Sequence, residues 1–103
     1  MSMNALEAYY RERARAPAAE SYTRELLDGG TKKCAKKLGE EVVEAIIAAM
    51  TESGERLVAE LADVEYHLVV LLMSRGLTFA MVEEELQRRR AKSGLEEKAS
   101  RQS

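Results

Sequence analysis

A single cysteine in 103 residues, Cys34, excludes an intrachain disulfide and a thiolate metal cluster, and points to a reducing, cytoplasmic setting. Proline also occurs only once, at Pro17, so the chain beyond it lacks the strongest helix breaker. Tryptophan is absent, and no stretch alternates apolar and polar residues with period two, so strands are not expected. Basic charge is not in excess either: 16 Lys and Arg against 18 Asp and Glu give a net charge of −2. That balance excludes the broad electrostatic footprint of a nucleic-acid-binding domain. No run approaches the roughly 18 apolar residues of a membrane span, and the first residues lack an apolar signal core, so no membrane partner is expected.

What the chain does have is Ala, Glu, Leu, Arg and Lys, with 46% hydrophobic and 33% charged residues, a mixture that suits helices. Its length fits one domain, residues 1–103. An amphipathic stretch at 6–15 stops before Pro17. Ser21 offers an N-cap oxygen to a short helix that Gly29 and Gly30 end, and Thr31 can cap the next helix. From 32 to 50 apolar residues recur at three and four, as they do from 55 to 74, with a break at Thr51, Ser53 and Gly54. Gly76 closes the second long helix and Thr78 caps a last one running to about residue 92. Residues 93–103 have little to bury and read as a flexible tail around an ordered core at 6–92. The expected fold is therefore all-α: a helical bundle with two long antiparallel central helices.

Those two helices carry acids in tight groups. With about 100° per residue, Lys33, Lys37, Glu40, Glu41 and Glu44 share one sector of the first, bordered on both flanks by apolar residues. The second repeats the pattern, with Arg56, Glu60, Asp63 and His67 in one stripe beside Leu57, Leu61, Val64 and Leu68. Apolar residues cover so much of both helices that one partner helix cannot bury them, and a homodimer would.

Glutamates spaced by three usually form nothing more than a solvated helix face. Two such groups facing across a tight turn are different, because clustered carboxylates must bind protons, pair with cations or bind a metal. Hard oxygen donors with one histidine and no thiolate cluster select Mg²⁺, with Mn²⁺ the alternative, over zinc. Lys33 and Lys37, one and two turns upstream, are placed to meet phosphates, although pairing with Glu40 and Glu41 also explains them. The combination suits attack of water on a phosphoanhydride, with a spare carboxylate as general base. His67 reads as a hydrogen-bonding residue more readily than as a ligand. Arg88, Arg89 and Arg90 suit the negative end of the last helix.

The pattern Glu41-x-x-Glu44 followed by Glu60-x-x-Asp63 resembles the signature of the all-α MazG-type nucleotide pyrophosphohydrolases. Within that superfamily SYTRELLDGG at 21–30, KKCAKKLGEEVVEAIIAA at 32–49 and DVEYHLVVLLMSRGL at 63–77 look like the phosphoribosyl-ATP pyrophosphohydrolases of histidine biosynthesis. The resemblance spans about residues 6–90. It implies hydrolysis of phosphoribosyl-ATP to phosphoribosyl-AMP and pyrophosphate, with Glu41, Glu44, Glu60 and Asp63 as Mg²⁺ ligands and Glu40, Glu41 and Glu44 as catalytic carboxylates. It also makes Ser21, Tyr22 and Thr23 candidates for contacts to the phosphoribosyl or adenine end, beside the bland reading of a cap and a packing aromatic. Two positions depart from the family pattern. Glu65 stands where apolar residues are usual, which leaves room for a changed dimer contact or another nucleotide substrate, and Cys34 replaces a common aliphatic. A MazG-type enzyme of another nucleoside triphosphate and a non-catalytic helical interaction protein are the alternatives left open.

Overall fold

The computed structural model describes residues 2–17, 21–91, 98, 99 and 101. Five helices follow one another: α1 (Met3–Arg13), α2 (Tyr22–Asp28), α3 (Gly30–Thr51), α4 (Gly54–Ser74) and α5 (Phe79–Arg90). No strand occurs among the described residues. Hydroxyl caps start four of them: Ser2, Ser21, Ser53 and Thr78 accept from the amides of Ala5, Arg24, Arg56 and Met81 at 3.1–3.4 Å. The helix expected from residue 6 begins earlier, at Met3, because Ser2 caps it. Most of the tail expected at 93–103 lies outside the described residues, and 98, 99 and 101 are helical.

The expected cap at Thr31 is not found. Gly30, at φ +86°, makes the left-handed turn between α2 and α3 by itself, so α3 has already begun before Thr31. Its hydroxyl is free to meet the end of α4 instead, 3.1 Å from Ser74 Oγ and 3.3 Å from the Ser74 carbonyl. At that end Gly76 has φ +69°, its amide donates to Met73 O, and the Leu77 amide reaches back to Leu72 O at 2.9 Å. The pair of reversed bonds satisfies carbonyls that the helix would otherwise leave orphaned.

Only Glu52 and Ser53 separate α3 from α4, which forces the two long helices antiparallel. The packed core sits at the far end from this turn, where Leu26, Cys34 and Val70 are fully buried against Leu27, Tyr66 and Leu71. The Cys34 thiol donates to Leu26 O, and burial raises its pKa. Across α4 lies α1, with Tyr10 edge-on to Tyr66 at 4.7 Å between ring centroids. Its buried Glu7 accepts from the Phe79 amide at 2.8 Å, placing a carboxylate at the positive end of α5.

Toward the α3–α4 turn the packing thins. Val43, Ile46, Ile47, Met50 and Val58 are each more than half exposed. The chain is correspondingly long, with a radius of gyration of 16.2 Å where a compact domain of this length has about 13 Å.

Candidate active site

Antiparallel packing brings the two acid groups face to face midway along α3 and α4. The α3 residues behind Glu41 on that face are Ala45 and Ala48, both buried, and their small side chains let α4 approach closely. Carboxylate oxygens of Glu41, Glu60 and Asp63 consequently lie within 4.8 Å of one another. Glu60 is buried, Glu41 half-buried and Asp63 exposed, so the group runs from the interior to solvent.

Glu60 is the informative member. One of its oxygens accepts from Arg56, a turn earlier on α4, and the other, Oε2, has no hydrogen-bond partner. Arg56 also lies 3.5 Å from Glu52. A buried carboxylate oxygen without a donor costs free energy that a hydrogen-bond donor, a proton or a cation recovers. One turn beyond Asp63, His67 is buried with Nδ1 unpartnered and Nε2 3.9 Å from Glu41 Oε1. Burial lowers its pKa, the carboxylates of Asp63 and Glu40 work against that shift, and Lys37 works with it. The imidazole is therefore neutral at neutral pH and adds no cation to the cluster.

Three converging hard oxygen donors, one orphaned and buried and one open to solvent, fit a small divalent cation that keeps positions for water and phosphate. Glu44 stands just outside this group. It is exposed and lines a hollow of about 220 Å³ with Ile47, Glu52, Arg56 and Glu60. Glu40 is exposed as well and turns toward the lysines, with Lys37 Nζ 3.5 Å from its Oε2. Lys33 and Lys37 border an open groove of about 440 Å³ together with Gly29, Lys32, Lys36 and Glu40.

The Ser21, Tyr22 and Thr23 stretch divides. Ser21 is buried and occupied as the α2 cap, and Thr23 is buried with its hydroxyl 2.7 Å from the Tyr66 hydroxyl. Tyr22 is 48% exposed, its ring nearly parallel to Tyr66 and edge-on to His67, both at 6.2 Å. Of the three it alone offers an exposed aromatic ring, next to His67. Sequence reasoning placed Arg56 in the acid stripe without a role, although its four-residue spacing from Glu60 is the signal for their pair. Tyr66 could not have been found that way, because its partners Tyr10 and Thr23 are brought to it only by the fold.

The phosphoribosyl-ATP pyrophosphohydrolase family model matches residues 3–90. A phosphoribosyl-ATP pyrophosphatase of Rhizobium johnstonii is 50% identical over 102 residues, which is 99% of this chain and 95% of the relative. One from Azorhizobium caulinodans is 52% identical over 97 residues, 94% of this chain and 89% of the relative. The phosphoribosyl-ATP pyrophosphatase 1 of Bradyrhizobium diazoefficiens is 54% identical over 89 residues, covering 86% and 84%.

Proposed function

The chain belongs to the phosphoribosyl-ATP pyrophosphohydrolases, a family of enzymes that convert phosphoribosyl-ATP to phosphoribosyl-AMP and pyrophosphate in histidine biosynthesis, and we propose that it does so with Mg²⁺ held between α3 and α4. The observation that carries the metal assignment is the convergence of Glu41, Glu60 and Asp63 with the buried Glu60 Oε2 left over. Bound there, Mg²⁺ would neutralise phosphate oxygens and lower the pKa of an attacking water.

The chain's own groups do the rest. Glu44, at the open edge beside Glu60, completes the set of four acids and takes the proton that the attacking water loses. Arg56 donates to the buried Glu60 and fixes the position of its carboxylate. Lys37, steadied by Glu40, and Lys33 one turn further receive the triphosphate and offset the charge that gathers on the departing pyrophosphate. Tyr22 stacks on the adenine, the part of the substrate with an aromatic face to offer.

The protein works as a homodimer in the cytoplasm in this reading. Its support for the dimer is the exposed apolar back of α3, continuous with an apolar hollow lined by Val42, Ile46, Leu57, Leu61 and Val64. A monomer rarely leaves so much contiguous apolar surface in water. For the compartment the support is the lone, buried, unpaired cysteine, and no helix among the described residues is long and apolar enough to cross a membrane.

The test is pyrophosphate release from phosphoribosyl-ATP by the purified protein, with Mg²⁺ and with excess chelator. Release that survives removal of all divalent cations would overturn the metal assignment. No release from a folded dimer supplied with Mg²⁺ would overturn the substrate.

A further inference from the structure

Lys32 and Lys36 have no place in the chemistry described so far. They form the outer edge of the groove that Lys33 and Lys37 also line, and Lys32, Lys33 and Lys36 have no ion-pair partner among the described residues. The groove thus sets four ammonium groups against one carboxylate, Glu40.

Nothing intrinsic to the helix favours this arrangement. Lys32 with Lys36 and Lys33 with Lys37 are like-charge neighbours at four-residue spacing, which weakens a helix. They stand in its first two turns, where the macrodipole disfavours cations, and no acidic residue of that first turn relieves them. A Cβ on Gly29 would fall 2.3 Å from Lys33 Cδ, so the Lys33 stem lies across the bare glycine at the groove wall. Such a site is unfavourable when empty and is relieved by an anion.

The reaction supplies two anions, because phosphoribosyl-ATP carries a triphosphate at one end and a phosphomonoester on its second ribose. Lys37 and Lys33 follow the acid stripe, and a triphosphate anchored at Glu41, Glu60 and Asp63 runs along them. Lys36 and Lys32 lie about 100° further round the helix than Lys37 and Lys33, roughly 7.5 and 13.5 Å along its axis from Glu41, on the far rim of the same groove. They are off the line of the triphosphate. We propose that Lys32 and Lys36 bind the phosphomonoester of the phosphoribosyl arm and so distinguish phosphoribosyl-ATP from ATP. This inference rests on the substrate reading above.

The test compares wild type with the double variant K32A/K36A and the charge-preserving K32R/K36R. Kinetics with phosphoribosyl-ATP are measured alongside calorimetric binding of ribose 5-phosphate and of pyrophosphate. Expected for K32A/K36A are a KM raised roughly tenfold or more with kcat within about twofold, the signature of lost uniform binding. Ribose 5-phosphate binding should be lost and pyrophosphate binding retained, and K32R/K36R should recover the ribose 5-phosphate binding. Equal loss of pyrophosphate binding would assign the groove to the triphosphate and overturn the proposal, as would unchanged binding of both. Failure of the wild type to hydrolyse phosphoribosyl-ATP would remove the substrate reading itself, a result separate from any effect of the lysines.

Discussion

Replacing Asp63 by Asn should make the metal-free protein more stable while making the enzyme inactive. The three carboxylates approach within 4.8 Å, and at that separation two unit charges repel by about 3.5 kcal/mol at an effective dielectric near 20 and about 1 kcal/mol in water. Asp63 is the exposed member, so its two repulsions are screened toward the lower figure, and Arg56 already offsets part of the charge on Glu60. A net gain of roughly 1–2 kcal/mol on removing the Asp63 charge results, a rise of several degrees in the melting temperature for a domain of this size.

Metal reverses the sign. A cation at a hundredfold excess over its Kd stabilises the folded state by about 2.7 kcal/mol, so wild type should melt higher in MgCl₂ than in chelator, and Asp63→Asn should lose most of that increment. Thermal melting of both proteins in both buffers, with pyrophosphate release measured in parallel, gives four numbers to compare. An Asp63→Asn protein that melts lower than wild type in chelator, and still gains the full Mg²⁺ increment, would show that the carboxylates neither repel nor share an ion.

Arg56→Ala should destabilise the metal-free protein by about 1–3 kcal/mol, since it strips the donor from a buried carboxylate. Mg²⁺ should recover part of that loss in a melting experiment, which a purely structural role for Arg56 would not permit. Ile46→Glu places a charge on the exposed apolar back of α3 and should yield monomers by light scattering; a variant that remains dimeric would move the interface elsewhere. Cys34 should resist iodoacetamide at pH 8 in the folded protein and react in denaturant, because burial holds the thiol protonated. With its pKa raised in the fold, the contribution of Cys34 to stability is complete below the ordinary thiol pKa and is lost as pH rises through the folded value. An alkaline melting series on wild type and Cys34→Ala should therefore converge as pH increases.

Local chemistry made most of the fold legible. Ser21, Ser53 and Thr78 are hydroxyl residues ahead of helical runs, and each caps the helix it precedes. Thr31 fits the same rule and fails it, because Gly30 before it had already reversed the chain. The acids were legible for a similar reason: periodicity puts Glu41, Glu60 and Asp63 on facing stripes, and the short turn at Glu52 and Ser53 fixes the register. What the sequence did not reveal depends on contacts between distant segments. Thr23 meets Tyr66 and Glu7 meets the Phe79 amide across separations of 43 and 72 residues. Exposure is equally nonlocal, so Tyr22 could not be separated from Ser21 and Thr23, its buried neighbours.

The acid cluster and the unpartnered apolar surface have one cause. A helix must turn one face to its neighbour, and α3 gives that face to Glu41, Ala45 and Ala48. Alanines bring α4 close enough for carboxylates on both helices to converge, but they bury little apolar area themselves. The larger side chains of α3, Val43, Ile46, Ile47 and Met50, are thereby turned to the opposite side, where no described residue covers them. In this fold a site between two closely packed helices is obtained by moving the hydrophobic driving force to the outside of the pair. A second copy laid against that outside would recover the lost burial and hold α3 straight along the length that carries Lys33, Glu41 and Glu44. Such a dimer would then be a condition for the spacing of the carboxylates, so Ile46→Glu should weaken the Mg²⁺ stabilisation as well as the association, although Ile46 lines the apolar hollow and not the one that holds the acids.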